Sequence, residues 1–256
     1  MTSKLLLLLP PSETKSDGGS RLSTNLRPDD PQLRAIGERV RDDLIALSSG
    51  DAEAAAKALK ISARQAEKEL SRNRQLRDPD RKPATLRYTG VLYDALDADS
   101  LSDAAKQWLD AHALIHSALY GPVAAGAEIA AYRLSYNSKL PGPSLRERWA
   151  AAVTNYLAAH PGPILDLRSK GYVTLGPLPA RRDNVAWADV VEALPNGEFR
   201  SLNHFNKRAK GLLVRKLAER CDDAVTTLDQ LGETLAPDYI VEPVAEQRVR
   251  IVVRTC

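Results

Sequence analysis

The chain mixes short runs that are apolar at every position with longer stretches whose apolar residues recur every three or four places. Residues 5–9 form the first short run, consecutive leucines stopped by Pro10 and Pro11. Apolar on both faces and too brief for a helix, the run predicts a buried central strand that delivers the polar loop Ser12-Glu13-Thr14-Lys15 to a sheet edge. Leu33, Ile36, Val40, Leu44 and Leu47 then repeat at helical spacing, with Asp30-Pro31 as N-cap and first turn and Gly50 as the stop. An Ala-rich helix over 52–59, a turn at Lys60-Ile61 and a capping box of Ser62 with Gln65 predict two short helices packed around a tight turn. Residues 86–96 are mixed, with a turn at Gly90. Ser102 caps a helix carrying Trp108 and Leu109. Residues 113–119 read as a strand running into the loop Tyr120-Gly121-Pro122.

Further along, residues 130–142 alternate polar with apolar or aromatic positions and end in Pro-Gly. Ser144 with Glu147 opens a helix that carries Leu145, Trp149, Val153, Tyr156 and Leu157 and closes at Pro161-Gly162. Residues 164–167 are a short strand containing Asp166, followed by the loop 168–171 and the segment 172–175. Runs at 185–194 and 198–202 flank Pro195-Asn196-Gly197, a hairpin signal. The next helix sets Phe205, Ala209, Leu212, Leu213 and Leu217 on one face and Lys207, Arg208, Lys210, Arg215 and Lys216 on the other. A helix over 225–235 and a strand over 248–254 finish the chain. With no internal repeat and no low-complexity linker, the pattern predicts one α+β (mixed α/β) domain over residues 1–256, a central β-sheet surrounded by helices.

Composition narrows the setting. Hydrophobic residues make up 43% of the chain, charged residues 27%, and the net charge is only +3, so the placement of charge matters more than its sum. Residues 57–82 hold the most basic stretch, whose bland interpretation is a solvated helix face followed by an exposed loop. The two cysteines, Cys221 and Cys256, form no disulfide framework and suit a reducing cytoplasm. The leucine run is shorter than a signal-peptide core and is followed by Glu13 and Lys15, and no stretch approaches a membrane span.

Chemistry collects at the predicted strand ends: Ser12, Glu13 and Lys15; Tyr120; Tyr132, Arg133, Asn137 and Lys139; Asp166, Ser169 and Tyr172; Asn203, His204, Asn206 and Lys207. Taken singly, each is more often structural. Together they predict a cleft rich in Lys and Arg for a phosphate-bearing or otherwise anionic ligand. No Gly-x-Gly-x-x-Gly or Walker loop occurs, and neither cysteine nor any serine sits in a nucleophile motif. His112, His116, His160 and His204 lack zinc-ligand spacing, so no metal and no cofactor is expected.

These motifs match a known family. Pro11-Ser12-Glu13-Thr14-Lys15, Tyr88-Thr89-Gly90, Leu119-Tyr120-Gly121-Pro122, Tyr132-Arg133-Leu134 with Lys139-Leu140, Asp166-Leu167-Arg168-Ser169 with Tyr172, and Asn206-Lys207-Arg208-Ala209-Lys210-Gly211 with Arg215 together resemble the peroxide stress protein YaaA family, in order and spacing over nearly the whole chain. The resemblance implies a cytoplasmic protein that protects against hydrogen peroxide by limiting intracellular iron. It also implies a positively charged cleft, a helix-hairpin-helix-like element and binding to double-stranded DNA. That element maps to residues 51–73, with Lys60 in the turn, Arg64 in the following first turn, and Lys68 and Arg72 beyond, although Lys60-Ile61-Ser62 replaces the usual Gly-x-Gly.

Two functional expectations follow. In the first, the protein is a DNA-binding stress protein contacting phosphate without reading bases. In the second, it is an enzyme or binder for a nucleotide-like or other anionic small molecule. Its catalytic set is then Lys15, Glu13, Asp166 and Lys207, with Lys15 and Lys207 on the anion, Arg133 as a bidentate clamp and Asp166 or Glu13 moving protons. Ser12, Tyr120, Tyr132, Asn137, Lys139, Ser169, Tyr172, Asn206, Lys210 and Arg215 complete the ligand site. A third, blander expectation is an interaction protein whose loops do not converge.

Overall fold

The leucine run becomes strand β1 (Leu6–Leu9), and it lies inside the main sheet with all four residues buried. The computed structural model describes residues 4–20, 30–193, 199–200, 203–220 and 225–254. From β1 the chain passes through helices α1 (Pro31–Ser49), α2 (Ala52–Leu59) and α3 (Ala63–Arg74), strand β2 (Arg81–Pro83), and helices α4 (Ala84–Arg87), α5 (Val91–Leu96) and α6 (Asp103–His112). It returns as β3 (Ala113–Ser117), β4 (Gly121–Ala124) and β5 (Glu128–Ala130), then α7 (Leu145–Ala158), β6 (Ile164–Asp166) and α8 (Lys170–Val173). The last elements are β7 (Val185–Ala193), β8 (Phe199–Arg200), α9 (Asn203–Arg220), α10 (Leu228–Leu235), β9 (Tyr239–Ala245) and β10 (Arg248–Val253).

The main sheet is mixed, in the order β4-β3-β1-β6-β7-β10-β9, with β8 paired on β7; β2 and β5 form a separate two-stranded sheet. Strands β3, β1, β6, β7 and β10 are mutually parallel, and β4, β8 and β9 run antiparallel at their partners. A parallel strand covered on both faces requires apolar side chains in both directions, which is why β1 is all leucine. Its register sets Leu8 beside both Leu114 and Asp166. One continuous cluster of buried side chains joins this sheet to α1, α7 and α9.

The local signals act as expected. Asp30 caps α1 by accepting from the Leu33 N–H at 2.8 Å, Asp51 caps α2, and the boxes at Ser62 and Ser144 open α3 and α7. Several segments differ from expectation. The expected loop at Gly121 is the start of β4, which hairpins back onto β3. Residues 86–96 are two short helices rather than one mixed segment. Of the alternating stretch beginning at Ala130, only that first residue is paired, within β5. Segment 172–175 falls in α8 and the turn after it, and α10 starts at Leu228 because Thr227 caps it. Edge strand β9 carries no clear alternation and includes Pro243, which an edge tolerates and a central strand does not. The pairing of Glu192 with Arg200 and of Ala193 with Phe199 supports the expected hairpin, whose turn at 195–197 lies outside the described residues, as do both cysteines.

Candidate functional site

The chain leaves β1 for β3 on one side and later supplies β6 on the other. Strand order therefore reverses beside β1, and open parallel sheets form ligand crevices outside strand carboxyl ends at such a point. A cleft of about 700 Å³ lies there. The loop after β1, the turn before α5 with its first residues, the start of α8, Trp187 and Asp189 of β7 and the first turns of α9 line it. A second depression of about 790 Å³ lies between α1 and α7, but its Arg148 and Asp43 are paired with each other. It brings together none of the polar set at the strand ends.

The loop after β1 is polar but firmly held. Thr14 and Lys15 run antiparallel to Tyr88 and Thr89: the Thr89 N–H donates to Thr14 O at 3.2 Å and the Ser16 N–H to Arg87 O at 2.9 Å. Arg87, fully buried, donates to the carbonyl oxygens of Ile129, Ser16, Gly18 and Asp80. Thr14 Oγ1 donates to Thr89 O and accepts from Thr89 Oγ1 at 3.0 Å, which leaves Ser12 Oγ to donate to Thr14 Oγ1. Gly90, whose φ is +100°, takes the loop past these hydroxyls in a conformation that side-chain-bearing residues rarely adopt.

Lys15 points inward from this loop and is 7% exposed. Its Nζ donates to Ser12 O at 2.9 Å and Glu13 O at 3.4 Å, and lies 4.1 Å from the Tyr132 ring centre and 5.2 Å from that of Tyr88. Burial disfavours the ammonium, and it outweighs the opposing pull of Glu13, so the pKa falls to about 7. The Glu13 carboxylate itself pairs with Arg133. Beneath Lys15, Ser117 Oγ accepts from the N–H groups of Leu119 and Tyr120. Its proton must then go to Tyr132 Oη at 2.7 Å, and the Tyr132 proton to Tyr88 Oη at 2.8 Å. Burial raises the pKa of both phenols well above the ordinary value, so both stay protonated.

Across the cleft, Lys210 on α9 is 5% exposed and donates to Leu167 O at 2.9 Å. Burial lowers its pKa to about 8, against the pull of Asp166 and Asp189. Helix α9 lies close enough to place it because residue 211 is glycine: a Cβ there would sit 2.2 Å from Leu92 O. Trp187 forms a platform between the two. Its Nε1 donates to Arg168 O at 2.9 Å, and Lys170, Lys210 and Arg248 stand 5.9, 5.9 and 5.6 Å from its ring centre. Asn206 Nδ2 donates to Val190 O at 2.8 Å and Asp189 Oδ1 at 3.3 Å.

The polar set expected at the strand ends is thus partly gathered. Ser12, Glu13, Ser169, Tyr172, Asn206, Lys207 and Lys210 line the cleft. Lys15 and Tyr132 lie beneath the β1 loop, and Tyr120 stacks edge-on against Tyr132 while its hydroxyl accepts from the Ala130 N–H. Arg133 serves as a clamp, but on Glu13 rather than on open space. Asp166 does not face the cleft. It is fully buried, and it accepts from Arg168 Nε at 2.8 Å, Arg168 Nη2 at 2.6 Å and the Arg168 N–H at 2.9 Å. Arg168 also donates to His116 Nδ1 at 2.6 Å, which fixes that ring as the neutral Nε2–H tautomer. A carboxylate so enclosed organises the core under the cleft and has no route for proton transfer to a ligand. Asn137 and Lys139 are exposed and off the cleft wall, and Arg215 staples α9 to Leu96 O and Ser100 Oγ. The side chains of Asn203 and His204 lie outside what is described.

In the α2–α3 hairpin, Lys60 takes a left-handed conformation and, with Arg64, is exposed. The N–H groups of Lys60 and Ile61 turn back to cap α2 through Lys57 O and Ala56 O. Lys68 and Arg72 both pair with Asp17, and Arg72 also pairs with Glu69 at 3.0 Å. Their hydrogen bonds, Arg72 first, hold the Asp17 carboxyl below its usual pKa. Trp187, Ser117 and Asp189 escaped sequence reasoning, and Tyr88 entered it only as part of a family motif. Trp187 and Asp189 sit inside a strand run; pairing brings Trp187 opposite Asp166 at the end of β6, and Asp189 lies two residues beyond. No group of three or more His, Cys, Asp or Glu residues is placed to hold a metal among the described residues. No described helix is long and apolar enough to cross a membrane.

Fold and cleft together define a mixed α/β protein with a pocket, lined in part by Lys170, Lys207 and Lys210, at the switch point of a largely parallel sheet. The family model described as peroxide stress protein YaaA matches residues 5–244. A UPF0246 protein of Corynebacterium efficiens is 41% identical over 87% of this chain and 88% of its own length. UPF0246 proteins of Corynebacterium glutamicum strain R (35%; 93% and 95%) and Streptomyces coelicolor (38%; 83% and 82%) are similar over comparable spans. The chain belongs to the peroxide stress protein YaaA family.

Proposed function

We propose that the cleft binds a small anionic, nucleotide-like molecule, and that the protein serves the peroxide-stress role of its family in the cytoplasm through this ligand. On this reading the limiting of intracellular iron, which the family resemblance implies, is a downstream result of what the ligand does. The supporting observation is the Trp187 platform on the cleft wall with Lys170 and Lys210 beside it. An aromatic face suits a planar base, and the cations suit phosphate. Lys210 has no carboxylate within ion-pair distance among the described residues, so a ligand anion would supply the counter-charge that its burial lacks. Lys207 at the rim would add to this attraction.

The test is a thermal-shift screen of nucleotides, nucleobases and sugar phosphates. A ligand at about one hundred times its Kd stabilises the fold by about 2.7 kcal/mol. The expected outcome is a shift with a phosphate-bearing ligand that disappears in Lys210→Met. A broad panel without any shift would sink the proposal.

A second reading places duplex DNA on the α2–α3 hairpin, supported by the exposure of Lys60 and Arg64. Its mark is affinity that falls steeply with salt. The engagement of Lys68 and Arg72 by Asp17 leaves this surface fewer cations than the sequence supplies.

A further inference from the structure

Lys15 is not used by the Trp187 platform, and its surroundings are unusual for a lysine that holds an anion. Its neighbours offer little counter-charge: Glu13 is paired with Arg133 and its pull on Lys15 is outweighed by burial, and burial keeps the two phenols protonated. Its polar contacts are two carbonyl oxygens, those of Ser12 and Glu13. A neutral amine carries two protons and one lone pair, so two acceptors satisfy it and the lone pair is left over. An ammonium would have a third proton facing only tyrosine rings.

We propose that Lys15 is an imine-forming amine, so that the cleft takes anions that also carry an aldehyde or ketone carbonyl. This rests on the small-anion reading of the cleft and divides the labour: Lys210 and Lys207 on the cleft wall hold the anionic group, while Lys15, just beneath the Ser12–Glu13 wall, meets the carbonyl. The Lys15 Nζ lone pair attacks the carbonyl carbon, the C–N bond forms, and the carbonyl π pair moves to oxygen. Both amine protons then leave with that oxygen as water as the C=N bond forms, so no oxidant or reductant is needed. The Tyr88 and Tyr132 rings flank the amine and exclude bulk water, which would otherwise stabilise the ammonium. With a pKa near 7, about half of Lys15 is amine at neutral pH, against a few parts in ten thousand for an ordinary lysine.

The test incubates the full chain at pH 7 with glyoxylate, or with uncharged glycolaldehyde, in the presence of sodium cyanoborohydride, and maps the reduced adducts by peptide mass spectrometry. Lys15 is expected to be modified at least tenfold faster than exposed Lys60, and faster by glyoxylate than by glycolaldehyde. That advantage of glyoxylate is expected to vanish in Lys210→Met. Lys15→Met, checked for native circular dichroism, should lose the fast adduct while its thermal shift with the phosphate-bearing ligand persists. Modification of Lys15 no faster than Lys60, or an equal rate with both probes, overturns the inference. If the ligand-induced thermal shift is present and the fast adduct is absent, only the imine is wrong. If the shift is absent as well, the ligand cleft falls with it.

Discussion

The cleft region and the α2–α3 hairpin both carry basic residues, yet they treat those charges in opposite ways. In the hairpin, Lys68 and Arg72 sit near the surface and are matched by Asp17 and Glu69. At the cleft, Lys210 on its wall and Lys15 beneath its β1 loop are buried and donate only to backbone carbonyls. A surface pair in high dielectric contributes little, and it spends the cation on the protein itself. A buried lysine without a paired carboxylate costs stability, because burial disfavours the ammonium. The count of basic residues in a stretch therefore says less about a site than which of them lack partners.

Three experiments probe this contrast. The largest effect is expected at Asp166→Ala, which strands Arg168 as an uncompensated buried charge beneath the cleft. Breaking such a pair costs about 3 to 5 kcal/mol, so chemical denaturation should show a loss of that size. A change below about 1 kcal/mol would show that the core under the cleft does not depend on the pair.

The next effect concerns Lys15 and pH. Its pKa is depressed from 10.5 to about 7 in the folded protein, so between these values the unfolded chain binds the extra proton. Stability therefore rises with pH across that window, and the full penalty for burying the ammonium is present below pH 7. Measured against Lys15→Met, the wild-type protein should gain about 2 kcal/mol between pH 7 and pH 9. A flat difference across that range would mean that Lys15 is not desolvated.

The smallest effect on the fold is expected in the hairpin. Lys60→Ala with Arg64→Ala should change stability by about 0.5 kcal/mol or less, as exposed substitutions generally do. If duplex DNA binds there, the same pair should flatten the dependence of log K on log salt by about two. An unchanged slope would remove the hairpin from consideration as a phosphate-binding surface and sharpen the contrast in favour of the cleft.

The gathering of Ser12 and Ser169 was legible in the sequence because loops after parallel strands rise on one edge, and short apolar runs mark those strands. Trp187 and Asp189 were hidden, since which residues of a strand reach the end of its neighbour cannot be seen from its own residues. Asp166 looked available for chemistry because it ends a strand. Only the fold shows that Arg168, two residues on, folds back over it and ties it to His116.

What the sequence by itself determined are the elements whose causes act over a few residues. The all-leucine strand, the Asp30 and Asp51 caps, the capping boxes at Ser62 and Ser144 and the amphipathic helices are of this kind. What only the tertiary structure decided is the state of each charge. Lys15 loses its water to Tyr88 and Tyr132, and Lys68 and Arg72 gain Asp17 from more than fifty residues away. Solvation and pairing depend on distance in space, and contacts between residues so far apart in the chain exist only once the sheet has brought them together.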